Sequence, residues 1–480
     1  MSEGTKREKD ERPAKEARRQ FRAIKGTRDI LPPDTSLWNW FEKTAREVIE
    51  AYNFAEIRLP IFEETELFAR AVGVETDVVN KEMYTFQDQL DLDEVIRGLL
   101  EKGIDSTKAY LAAGPNRSAI WDLASKSEWL TLRPEATASV CRAYIEHGMQ
   151  TRPGDQKLYY LGPMFRRERP QKGRYRQFNQ IGAEVLGTSD APAIDAELIE
   201  MLTVLIGRCK IEKWTLLINS IGCADCRPAY VEKLRAELRK PEIFSRLGLD
   251  SQRRVETNPL RVMDSKLPEE QAIIEKLPKI SEHLCGDCQL HYAKLKAELT
   301  LRKVPFTESP RLVRGLDYYM RTTFEITSPV LGAQNALCGG GRYDGLVEML
   351  GGPKGIKGIG FALGEDRFID AIQEAKKIDA KRAVDVFVAW MGEKAYPEAV
   401  RLARMLRDAG RAVELPAKEM KFGKAFERAD KIGARYVLIL GEDEIASKQL
   451  TVKRLADGAQ ERVSEAALLG YIATGNTSRG

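Results

Sequence analysis

The stretch MFRRERPQKGRYRQFNQIGAE, residues 164–184, decides how the rest of the chain is read. Between Arg166 and Arg176 it places Arg167, Arg169, Lys172 and Arg174, yet it is not a plain basic run. Phe165, Tyr175 and Phe178 interleave with the cations, and Glu168, Gln180 and Glu184 add acceptors. The flanking LYYLG (158–162) and FNQIGAEVLG (178–187) have the apolar, β-branched look of strands. Pro170 and Gly173 predict a long hairpin loop between them. Such a hairpin can hold guanidiniums in a fixed fork for phosphate oxygens, with Phe178 as a flat surface for a base. On composition alone, a solvated basic hairpin that binds nothing in particular is an equally good reading.

Bulk properties narrow the field. At 480 residues a single core is too small a plan, so two or three domains are expected. Hydrophobic residues at 43% suffice for packed cores, and 31% charged residues fit a soluble, cytoplasmic protein. The net charge of +4 says little about nucleic acid by itself. No apolar run reaches the roughly 20 residues that span a bilayer, so no membrane partner is expected. Seven cysteines in a chain of this size do not suggest a disulfide framework. With only His147, His283 and His291 present, few histidine bases are on offer. HExxH, GxSxG and GxxxxGK[ST] are all missing, which argues against zinc proteases, α/β-hydrolases and P-loop enzymes.

Along the chain, residues 1–20 read as a disordered charged tail. A helix is expected from Ser36 to Tyr52, with Trp38, Phe41, Ala45, Val48 and Ile49 on one face. Phe54–Pro60, Glu82–Asp88 and Trp129–Pro134 look like strands, separated by a polar insert over about 90–128. Helices are expected over Ala138–Gly148 and Asp195–Ile206, and a strand over Trp214–Asn219. From about 222 to 304 the pattern is mostly helical and reads as an inserted subdomain. It carries Cys223-x-x-Cys226 and Cys285-x-x-Cys288. A structural zinc on these four is one reading; reduced thiols packed near each other is the other, because the spacer between the pairs is long for a compact ribbon. Arg311–Thr327 looks strand-like, Cys338–Gly352 a glycine-rich turn into a short helix, and Gly358–Ile372 a strand passing into a helix. From about Lys381 strands and helices alternate, which indicates a separate α/β domain over about 383–475.

Several segments together resemble one family. KGTRDILP (25–32), LTLRPE (130–135), FRRERPQKGRYRQF (165–178), NPLRVMDSK (258–266), LVRGLDYY (312–319) and GGRYDGL (340–346) are similar to stretches of the histidyl-tRNA synthetases, which are class II aminoacyl-tRNA synthetases. The resemblance implies an α+β catalytic domain over about 21–375, with an antiparallel sheet flanked by helices. It also implies a C-terminal anticodon-binding domain and a homodimer. The implied reaction is ATP-dependent activation of L-histidine to an adenylate, followed by transfer to histidine tRNA, with Mg2+ as ATP's companion ion.

The implied site follows residue by residue. Arg166 and Arg314 would bracket the α-phosphate, and Arg174 and Arg367 would hold the terminal phosphates. Phe178 would stack on adenine and Glu168 accept from its amino group. Glu135, Ala136, Thr137, Gln180 and Glu184 would line the histidine pocket with Arg166 and Arg314, and Tyr318 and Tyr319 would close its imidazole side. Ala136 stands where the family often has glycine, and Asp366 where glutamate is common.

Two rivals remain. One is a non-catalytic, histidine-sensing regulatory paralogue of ATP phosphoribosyltransferase, which generally lacks the C-terminal domain. The other is a general RNA-binding protein using the basic hairpin, which leaves the acidic pocket residues unexplained.

Overall fold

The computed structural model describes residues 21–73, 76, 78–87, 129–171, 173–332, 335–378 and 384–474. The expected tail over 1–20, the insert over about 90–128 and Lys172 lie outside the described residues. The described residues divide into two compact units, one holding those of 21–31 and 38–378 and the other those of 32–37 and 384–474.

The first unit's strands are β1 (Ala55–Glu56), β2 (Phe62–Glu64), β3 (Tyr84–Gln87), β4 (Trp129–Leu132), β5 (Gln156–Phe165), β6 (Gln177–Gly187), β7 (Thr215–Ser220), β8 (Thr307–Glu308), β9 (Met320–Thr327), β10 (Ala336–Arg342) and β11 (Lys357–Gly364). Eight of them form one sheet in the order β1-β5-β6-β11-β10-β9-β7-β8. Its six inner strands are antiparallel throughout, and only the two-residue edge strands β1 and β8 pair in parallel. The basic stretch 166–176 is the loop of the β5–β6 hairpin, as its flanking residues predict. The strands β2, β4 and β3 make a separate small sheet.

Helices bury one apolar face each against these layers. Asp34–Ala51 buries Trp38, Phe41, Ala45, Val48 and Ile49, the face read from its spacing, and Phe41 stacks on Phe368 at 5.2 Å. Pro192–Arg208 buries Leu198, Ile199, Leu202, Leu205 and Ile206. The segment after β7 is helical up to Leu301, with a short 3-10 turn at Pro259–Val262 where the sequence pauses.

Three local expectations fail, wholly or in part. Cys338–Gly341 is not a turn but the centre of β10, one of the inner strands. Its glycines are there for space. A Cβ on Gly340 would lie 2.1 Å from the Gly360 carbonyl, and one on Gly339 would lie 2.4 Å from the Arg314 guanidinium. Likewise Arg311–Tyr319 is loop, with the strand starting only at Met320. The expected strand over Phe54–Pro60 shrinks to Ala55–Glu56.

The second unit has β12 (Val386–Trp390), β13 (Val413–Glu414), β14 (Tyr436–Leu440), β15 (Leu450–Arg454) and β16 (Gln460–Val463), in the order β13-β12-β14-β15-β16. Helices Ala395–Asp408, Phe422–Lys431 and Glu465–Thr474 pack on it, as the alternation predicts, with the short helix Glu442–Ser447 between β14 and β15. The central strands β12 and β14 are buried along their whole length, which is why they read as continuous apolar runs. Among the described residues, no helix is long and apolar enough to cross a membrane.

Candidate active site

The β5–β6 hairpin is sewn to its surroundings through the backbone. Phe165 N–H donates to the Arg133 carbonyl at 3.0 Å, Arg166 N–H to Arg176 at 2.9 Å, and Arg176 N–H to Gly26 at 2.7 Å. Arg133 itself is a scaffold residue. Its guanidinium donates to the carbonyls of Pro163, Leu59 and Pro60 at 2.9–3.1 Å, which holds LTLRPE along the hairpin. Arg166 Nε donates to the Pro134 carbonyl at 2.9 Å, and its guanidinium lies 5.5 Å from the Phe178 ring centre.

A cavity of about 290 Å³ opens where these elements meet β9, β10, β11 and the loop 312–319. Arg166, Arg174, Arg314 and Arg367 all line it, although they come from three distant stretches of chain. Arg174 pairs with Glu168 at 2.9 Å, and Arg166 is 3.9 Å from the same carboxyl. Arg367 Nη1 donates to the Ala336 carbonyl at 2.8 Å. Burial, and then the neighbouring charge of Arg174, pull the Arg367 guanidinium below the usual arginine range. Crowded guanidiniums in a recess favour an anionic occupant. Arg314 pairs with Glu325 at 2.8 Å, while its buried Nε has no partner.

The acidic residues gather around the start of the helix Thr137–Glu146. Glu135 accepts from the backbone N–H of Thr137 at 2.8 Å and of Ala138 at 3.0 Å, so it caps that helix while lining the cavity. Thr137 Oγ1 donates to Glu184 at 2.7 Å, and Tyr343 Oη donates to the other Glu184 oxygen at 2.5 Å. Burial raises the Glu184 carboxyl to about 8; the two donated bonds oppose the shift and the Glu135 charge adds to it. Burial likewise raises the carboxyl of Glu135. Gln180 lines the cavity with its Oε1 buried and without a partner. Tyr318 and Tyr319 form a wall, with ring centres 4.7 Å apart and Tyr343 5.7 Å from Tyr318.

Of the residues named from the sequence, Glu135, Thr137, Arg166, Glu168, Arg174, Phe178, Gln180, Arg314, Tyr318, Tyr319 and Arg367 line this one cavity. Ala136 and Glu184 do not; both are fully buried, with Glu184 packed under Gly360. Tyr343 and Glu325 were missed, although both line it. Tyr343 lies in GGRYDGL and could have been named from that match. Glu325 carries no local signal, because a lone glutamate in a strand is indistinguishable from a solvent-facing one.

An antiparallel sheet with guanidiniums from a basic hairpin, a loop and a strand–helix junction around one recess defines a class II aminoacyl-tRNA synthetase. The family description "Histidyl-tRNA synthetase" matches residues 93–367, and "Anticodon binding domain" matches residues 385–474. The chain is 51% identical to a histidine–tRNA ligase of Koribacter versatilis (strain Ellin345), over 94% of this chain and 96% of that one. It is 49% identical to another from Solibacter usitatus (strain Ellin6076), over 92% and 96%. Its structure is similar to the crystal structure of apo histidyl-tRNA synthetase from S. aureus, with a TM-score of 0.72 and 34% identity over 94% of this chain and all of that one. The chain belongs to the histidyl-tRNA synthetase family.

Proposed function

We propose that this protein activates L-histidine with ATP and transfers it to histidine tRNA. The carrying observation is one cavity that joins four arginines to a polar pocket with an unpaired Gln180 acceptor. In the first step a histidine carboxylate oxygen attacks the α-phosphorus, and pyrophosphate leaves. In the second a ribose hydroxyl of the tRNA attacks the acyl carbon, and AMP leaves. The nucleophile of the first step is already ionised, so the task is to stabilise charge building on the phosphate.

In this reading Arg166 and Arg314 bracket the α-phosphate, and Arg174 and Arg367 hold the outer phosphates; their common lining of one cavity supports it. Phe178 supplies the stacking face for adenine, beside Glu168. Gln180, Glu135 and Thr137 face the histidine, with Tyr318 and Tyr319 as its wall and Glu184 holding Thr137 and Tyr343 from behind. A polar pocket of this kind rejects apolar side chains by leaving its own groups unpaired.

Magnesium fits as an ion that arrives on the nucleotide. Such ions bind through one or two carboxylates plus substrate phosphates, and Glu325 is a cavity carboxylate of that type. Bound there, the ion would neutralise phosphate charge.

We read the chain as a catalytic domain over about 21–375 and an anticodon-binding domain over about 383–475. The exposed rings of Phe62 and Phe86, 6.3 Å apart, support burial by a second copy in a homodimer. Composition supports a cytoplasmic location. The regulatory-paralogue reading is weaker, because the C-terminal unit is present and the arginines share one recess with the pocket.

The test is ATP–pyrophosphate exchange with each of the twenty amino acids in turn. Exchange that depends on histidine supports the reading. Exchange with a different amino acid, or none with histidine, contradicts it.

A further inference from the structure

Two Cys-x-x-Cys turns far apart in the chain meet in the helical segment after β7. Cys223 and Cys226 precede the helix Arg227–Leu238, while Cys285 precedes and Cys288 opens the helix Gly286–Leu301. All four Sγ atoms lie within 4.8 Å of one another. Cys223 is 3.7 Å from Cys226 and 3.8 Å from Cys285, and Cys226 is 3.9 Å from Cys288. A disulfide needs a separation of about 2.05 Å. A tetrahedral zinc with sulfur at about 2.3 Å sets its ligands about 3.8 Å apart. Three of the six sulfur–sulfur edges match that tetrahedron, and the others stay within 4.8 Å.

The backbone is shaped around the same point. Cys223 N–H donates to Cys226 Sγ at 3.3 Å. Gly222 has φ +73°, and a Cβ there would lie 2.8 Å from Cys226 Sγ, so only glycine lets the chain wrap this sulfur. Both helices begin at the cluster and direct their positive ends at it.

Three hydrogen bonds tie the cluster to the segment 319–321, whose first residue lines the cavity. Arg321 N–H donates to the Gly222 carbonyl at 2.7 Å, and Ile221 N–H donates to Arg321 at 2.8 Å. Arg227 Nη1 donates to the Tyr319 carbonyl at 2.5 Å. Tyr319 is cavity wall, whereas none of the four cysteines lines the cavity.

We propose that Cys223, Cys226, Cys285 and Cys288 bind a zinc ion, which fixes the Tyr318–Tyr319 wall through Gly222 and Arg227. The thiols ligate as thiolates and release their protons to solvent. Without the ion, the contacts between the four sulfurs themselves are weak thiol contacts. All-sulfur ligands in a tetrahedron select zinc over hard cations such as magnesium. The ion is a positioning element and takes no part at the reacting atoms.

The metal content of full-length protein, purified without added metal, tests the first half. One zinc per chain is expected, and a Cys226→Ser, Cys288→Ser double variant should lose it. Cobalt exchanged into wild-type protein should give the red d–d bands of a tetrahedral thiolate site, a readout that survives if the variant fails to fold. Zinc far below one per chain, iron in its place, or zinc retained by a folded double variant overturns the site. The second half rests on the proposed histidine activation; the metal content does not. Arg227→Ala should keep the zinc yet raise the KM for histidine about tenfold, with the KM for ATP little changed. An unchanged histidine KM overturns the positioning role.

Discussion

Arg314 and Glu325 form a 2.8 Å ion pair across the loop–sheet junction, directly above Gly339 of β10. Glu325 thereby holds the guanidinium at the cavity wall before any nucleotide arrives. The buried, unpaired Arg314 Nε leaves it donor capacity in reserve.

Gly339 is the floor under that guanidinium. A Cβ there would come within 2.4–2.6 Å of the Arg314 guanidinium atoms, which are the movable end of a flexible side chain. Gly339→Ala should therefore displace Arg314 while sparing the fold. A displacement of this size is expected to cost about a hundredfold in exchange rate, with the melting temperature near wild type. Adding Arg314→Ala to Gly339→Ala should cost no more than Arg314→Ala alone. Additive losses would show that Gly339 acts elsewhere.

Gln180 carries the unpaired acceptor of the pocket. Gln180→Leu removes it at similar volume. We expect the KM for histidine to rise by about ten- to a hundredfold, because a hydrogen bond in a buried site is worth about 1–3 kcal/mol. Exchange kinetics check this, and a histidine KM that does not move would place the acceptor outside the substrate's reach.

The Glu184 carboxyl, raised by burial to about 8, makes stability depend on pH. The folded state holds a proton that the unfolded chain, with an ordinary glutamate value, has released. Between about pH 4.5 and 8 the native state thus binds more protons, and stability falls as pH rises through that window. Glu184→Gln should flatten that fall, as read by urea melts at about pH 5 and pH 8. An unchanged pH slope would mean that Glu184 is ionised in the fold.

Deleting the chain from Lys381 onward should cost tRNA charging far more than adenylate formation. Assays of both steps on the same preparation decide it; equal losses would contradict the domain division.

Much of this was legible before the structure. The hairpin announced itself because strand-like residues flank a loop with Pro170 and Gly173, and the helix Asp34–Ala51 because its buried face keeps helical spacing. β10 was misread because glycines carry no side chain, so CGGG shows neither alternation nor apolarity; its role depends on neighbours distant in sequence. The loop before β9 was misread for the opposite reason. Its aromatics look like strand residues, yet Tyr318 and Tyr319 are buried as the wall of a cavity. The meeting of the two cysteine pairs was legible, since both readings of the four thiols set them near each other; the spacer that looks long in sequence folds back on itself through several helices.

The central claim is that guanidiniums from separate stretches act on one phosphate beside a histidine pocket. Arg314→Ala tests it most directly, with histidine-dependent ATP–pyrophosphate exchange and histidine affinity measured together. Exchange should fall by about two to three orders of magnitude while histidine still binds. Exchange that stays near the wild-type rate in a folded variant would contradict the account.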